Sequence, residues 1–193
     1  MISAFSDFFC GEISMFMIRN VLMIFLLLVS VQAMAKEPSY GPAISNYGPT
    51  FPINDRDVAL REDFIYRAVF DLAIYPGDST SMNRKLVSVA RYMNMHTRNE
   101  VPLDKMDIAV VLHGKALMSA LSHEAYEIRF NVENPSYDLL MKLHEAGVRF
   151  YACGQSMAFG RINKSELASP VEVAFSAMTM LTVLQSDGYA LLP

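Results

Sequence analysis

The chain has 193 residues, 52% of them hydrophobic, a formal net charge of −4 at pH 7 and no tryptophan. That length suits one domain with a real core and is short for two. The charges are mixed and form no basic stripe, so nucleic-acid binding has no electrostatic footing.

Residues 21–31 (VLMIFLLLVSV) are an apolar run, with Arg19 before it and Ala33-Met34-Ala35 after it. A positive start, a short apolar core and small residues at a cleavage site make the layout of a secretory signal. A membrane-spanning helix needs about 20 apolar residues, and this run is shorter. The expectation is a signal peptide over residues 1–35, cleavage after Ala35, a periplasmic or secreted product, and no stable membrane span afterwards. The alternative is an uncleaved N-terminal anchor. Asp7 and Glu12 sit badly in an export signal, which points to translation starting at Met15 or Met17. The removed segment carries Asp7, Glu12 and Arg19, so the net charge becomes −3. It also carries Cys10, which leaves Cys153 as the one cysteine of the mature chain. An exported protein usually pairs its cysteines, so a leftover one is either buried and inert or kept for reaction.

Residues 36–62 form a proline-rich arm with Pro38, Pro42, Pro49 and Pro52 and little periodicity. Such a segment buries little apolar surface by itself, which predicts low order unless it lies across a neighbour. The domain is expected over residues 63–193. Residues 64–73 (FIYRAVFDLA) read as a first strand, and Pro76-Gly77-Asp78 as a turn. Met82, Leu86, Val89, Ala90 and Met93 then recur at the spacing of one helix face. The run IAVVLHG, ending at Gly114, has the continuous apolar character of a strand buried on both faces. Residues 115–130 read as helical, with Ser119 and Ser122 blurring the boundaries. Asn134-Pro135 resembles a helix start, with Leu139, Leu140, Leu143 and Ala146 as the apolar face and Gly147 as the stop. VRFYAC is a third strand running into Gly154, and residues 155–162 are a short helix or turn. VEVAF (171–175), a helix from Ala177 to Gln185 and YALL (189–192) complete the alternation. Strand–helix alternation throughout predicts an α/β sandwich on a mostly parallel sheet.

In such sheets, sites form at the carboxyl ends of strands. His113 and Cys153 fall at two of those ends, and adjacent parallel strands would bring them to one edge. Gly154 allows the chain to turn after Cys153, and a helix start at Gln155-Ser156 would aim amide donors at the thiol, favouring the thiolate. Gln155 and Ser156 are therefore candidate ligand or anion donors. Against this stands the plain alternative that a cysteine at a strand end fills space. A histidine closing a strand is often structural, and His96, His123 and His144 read as solvated positions on helix surfaces. Asp71 and Glu172 lie near strands and are candidate site carboxylates, but no spacing singles them out. No metal-ligand spacing, glycine-rich phosphate loop or nucleophile elbow is present, so no cofactor is called for.

The runs VVLHGKAL (110–117), Asn134-Pro135, EAGVRFYACGQS (145–156) and SAMTMLTVLQSDGYALLP (176–193) together resemble the DsrE/DsrF-like family of sulfur-relay proteins, most closely its exported branch. The resemblance covers roughly residues 64–193. It implies a three-layer α/β/α fold around a five-stranded sheet, assembled as trimers or hexamers. It also implies a cysteine at a strand end that carries sulfur as a persulfide to a partner, the role that Cys153 would match. His113 and Gly114 match the histidine-glycine of the exported branch. Two functions compete on these grounds. One is a sulfur carrier on Cys153, with His113 handling protons, Gly114, Gly154, Gln155 and Ser156 around the bound group, and a sulfur donor or acceptor protein as partner. The other is a non-catalytic module that binds a small ligand or anion, with Cys153 packed in the pocket wall. A structural homo-oligomer is a third reading.

Overall fold

The computed structural model describes residues 37–192. The readings of a signal segment, of a start at Met15 or Met17 and of Cys10 fall outside those residues.

Five strands make one all-parallel sheet: β1 (Tyr66–Leu72), β2 (Met106–Leu112), β3 (Arg149–Cys153), β4 (Val171–Ala174) and β5 (Ala190–Leu192), in the order β4-β3-β2-β1-β5. β2 lies in the middle, and Ile108 to Leu112 are buried without interruption. This is the two-sided burial that its continuous apolar run predicts. The helices are α1 (Arg84–Arg98), α2 (His123–Phe130), α3 (Tyr137–Glu145), α4 (Gly154–Gly160) and α5 (Ala177–Ser186). The fold is the expected α/β sandwich, but its two layers of cover are unequal. Leu86, Val89 and Met93 of α1, Tyr126 of α2, Leu139, Leu140 and Leu143 of α3 and Met157 of α4 pack on one face. On the other, α5 alone covers Val69, Ala109, Val111 and Cys153, through Ala177 and Leu184.

Residues 115–130 are not one helix. A 3-10 segment over Gly114–Ala120 is followed by a break at Leu121, and Ser122 then caps α2 by accepting from the Ala125 amide at 3.1 Å. Asn134 does not cap α3, which begins at Tyr137. Its side chain instead accepts from Ser136 N–H at 2.9 Å and donates to the carbonyls of Ser119 and Leu121, at 3.2 and 2.7 Å. A buried amide that meets its own hydrogen-bonding needs in this way fixes the 3-10 segment against the start of α3. Gly147, with φ of +96°, ends α3 as expected.

The proline-rich arm differs most from its prediction. Residues 39–50 are tied to α1 and α3 of the same chain. Asn94 of α1 is fully buried. Its Oδ1 accepts from Ile44 N–H at 2.8 Å, and its Nδ2 donates to the carbonyls of Ile44, Tyr47 and Gly48. Arg98 donates to the carbonyls of Ser39, Tyr40 and Gly41 and to the Thr50 hydroxyl. Tyr47 Oη donates to Asp138 of α3 at 2.6 Å. Gly48, at φ +59°, lies so close to α1 that a Cβ there would run into the backbone of Ala90 and Arg91. The arm is poor in apolar surface, and polar side chains of the helices give it its order.

Candidate functional site

The parallel pairing of β2 and β3 decides what meets at the carboxyl edge. Leu112 pairs with Ala152, so the next step along both strands sets His113 beside Cys153. Neighbouring strands lie about 4.8 Å apart. Alternation along β3 and β2 turns Cys153 toward the α5 face, with Val111, while Ala152 and Leu112 face the other core. The expected meeting of the two strand ends is therefore present.

Cys153 is 4% exposed. Its Sγ accepts from the Ser156 amide at 3.5 Å. Burial by itself pushes the thiol pKa up. Hydrogen bonds from the Ser156 side chain and amide and from the Ala177 and Gln155 amides outweigh it, and the pKa is held below its ordinary value. Donors directed at sulfur stabilise the charged form, which is the reactive one. Ser156 also reaches across to the neighbouring strand end, where its Oγ accepts from Gly114 N–H at 3.0 Å. One serine thus links the loop after β2 to the thiol at the end of β3.

His113 makes no hydrogen bond to the thiol. Its Nε2 sits 2.8 Å from Asp71 Oδ1, with both side chains about one-third exposed. Asp71 pairs with Val111 across β1 and β2, two residues before His113, so both side chains fall on the α5 face. Asp71 holds the imidazole and orients it. In the sequence Asp71 is a candidate site carboxylate that no spacing singles out. Its one signal is that strand parity puts it and His113 on one face, and that signal becomes visible only once the register is known.

The remaining candidates separate. Gly114 and Ser156 line a cavity of about 600 Å³, together with Tyr75, Lys115, Met118, Phe130, Phe159 and Gly160. Cys153 and His113 do not line it. Gly154 is needed for packing: a Cβ there would come within 2.9 Å of the Ala174 carbonyl oxygen and 3.3 Å of that of Phe175. Gln155 is exposed. Two of the histidines read as solvated are in fact half-buried. His96 lies against the rings of Tyr66 and Tyr92, and His123 against Tyr137 at 4.2 Å, whereas His144 is exposed. Among the described residues, no group of three or more His, Cys, Asp or Glu could hold a metal ion, and no helix is long and apolar enough to cross a membrane.

The family model described as DsrE/DsrF-like matches residues 67–193. Among solved structures the chain is similar to a protein of unknown function from Methanobacterium thermoautotrophicum, at 20% sequence identity and a TM-score of 0.50. That likeness covers 66% of this chain and 97% of the other, and it supports the fold alone. No curated protein matches the chain.

Proposed function

Because the chain belongs to the DsrE/DsrF-like family, a family related to sulfur relay, we propose that it is an exported sulfur carrier that holds sulfane sulfur as a persulfide on Cys153. The observation that carries this reading is the set of donors directed at the thiol, which lower its pKa at the carboxyl end of β3. In the loading step the Cys153 thiolate attacks the terminal sulfur of a polysulfide. An S–S bond forms to Cys153, the donor's S–S bond breaks, and the shortened polysulfide leaves with the electron pair. In the unloading step an acceptor thiolate attacks the outer sulfur, and the Cys153 thiolate leaves. No net oxidant is consumed. His113, held by Asp71, stands at the neighbouring strand end to take or return the proton of the incoming thiol.

Export rests on the apolar run at 21–31 and on Ala33-Met34-Ala35. Assembly into a homo-oligomer, with a separate donor or acceptor protein, rests on the family and on large apolar side chains left in solvent, among them Phe175 and Met178. A second reading, a binding module with Cys153 packed in its wall, is favoured by one observation: the thiol is buried and opens into none of the described cavities. Polysulfide treatment followed by intact-mass measurement separates the two. The carrier gains the mass of one sulfur atom per chain, and Cys153→Ser does not. An unmodified, reduced Cys153 after treatment supports the second reading.

A further inference from the structure

The cavity that Ser156 lines and Cys153 does not has its own chemistry. At about 600 Å³ it has the size of a small-molecule site, and its walls are mostly apolar: Tyr75, Met118, Phe130 and Phe159. The aromatic wall is fixed in place. The rings of Tyr75 and Phe130 lie within 17° of parallel, and Phe130 also rests on the fully buried Tyr126 at 4.6 Å. The Tyr126 hydroxyl contacts that of Tyr75 and donates to the Ser79 carbonyl at 2.8 Å, so both rings are anchored from behind. Lys115 is the one charged residue in the lining. It is exposed, and among the described residues it makes no ion pair or hydrogen bond.

We propose that this cavity binds a small amphipathic anion, with an aromatic or short aliphatic body against Tyr75 and Phe130 and a sulfonate or carboxylate on Lys115. The apolar walls gain by losing contact with water, and a rigid ring loses little conformational freedom on entering a wall that is already ordered. The unpaired ammonium sets the sign of the charge. The cavity shares Gly114 and Ser156 with the surroundings of the thiol, but neither Cys153 nor His113 lines it, so the inference does not depend on the sulfur-carrier reading.

The test uses naphthalene-2-sulfonate as probe and the methyl resonance of Met118, in protein labelled at its methionine methyl groups, as the readout. A saturable ring-current shift at Met118 is expected, with neutral naphthalene-2-sulfonamide binding about fivefold more weakly, the scale of an exposed ion pair. Lys115→Gln, at an exposed position, should bring the sulfonate to the affinity of the sulfonamide while adding no methionine signal to the unliganded spectrum. Phe159→Ala, on a side chain 91% exposed, should weaken both probes together. The proposal is overturned if Met118 shows no saturable shift, if the sulfonate and the sulfonamide bind equally, or if Lys115→Gln leaves sulfonate binding intact. It is also overturned if binding vanishes as protein concentration rises, because a second copy would then occupy the cavity.

Discussion

The two faces of the sheet are built on different principles. One carries α1, α2, α3, α4 and, outside α1 and α3, the arm. Its strand residues, such as Phe150 and Leu112, are sealed under two layers. The other carries α5 alone, and Phe175, Met178 and Val183 remain in solvent around it. The thickly covered face supplies stability. The thinly covered one holds the thiol, the Asp71–His113 pair and the exposed apolar side chains around α5. In a parallel sheet both faces need cover, so a face with one helix is where a second chain or a reactive group finds room.

Perturbing each face tests that division. The largest effect is expected from Phe150→Ala, which empties a site 1% exposed in the thickly covered face. It should lower unfolding free energy by about 3–5 kcal/mol in denaturant titration. Asn94→Leu removes the amide that serves four backbone groups of the arm. A loss of about 2–3 kcal/mol is expected, with the Ile44 amide losing its protection from hydrogen exchange. Full protection in that variant would mean that the arm holds itself.

Tyr47→Phe should cost less, about 0.5–1.5 kcal/mol. Its effect depends on pH. Burial, and then the hydrogen bond to Asp138, push the Tyr47 pKa from 10.0 to about 12. The hydrogen bond from Tyr47, and then that from Lys142, hold Asp138 below its ordinary value. A raised tyrosine contributes stability that is complete below pH 10.0 and lost as pH rises through about 12. A lowered aspartate contributes stability that is present above its ordinary value and lost as pH falls through the lowered one. The difference between Tyr47→Phe and the parent should therefore be flat near neutrality and shrink at both extremes. The smallest effect is expected from Met178→Ser on the thinly covered face, within about 0.5 kcal/mol for a single chain. If that variant also dissociates an assembly, as seen by light scattering, the exposed side of α5 is an interface.

Much of the architecture was legible in the sequence because two-sided burial and helical spacing leave strong patterns, as in Ile108–Leu112 and in Leu86, Val89 and Met93. The arm was misread because its order comes from elsewhere in the chain. The overlooked signal was Asn94, four residues after Ala90 and so on the buried face of α1, where a polar side chain has to find backbone partners. Asn134 misled for a related reason, since its side chain serves the 3-10 segment as well as the turn before α3. At the site, Cys153 and His113 could be placed at strand ends from sequence. The partnership with Asp71 and the bridge from Ser156 to Gly114 depend on how β1, β2 and β3, far apart in the chain, lie side by side in the sheet.

The central claim is that Cys153 is a prepared thiolate on the thinly covered face. Its most direct test is the rate of alkylation of Cys153 against pH in the folded, reduced protein. The hydrogen bonds to sulfur predict a reaction in the native state with a midpoint below the ordinary thiol value. A thiol that stays silent until denaturant is added, or that titrates at or above that value, would contradict the account.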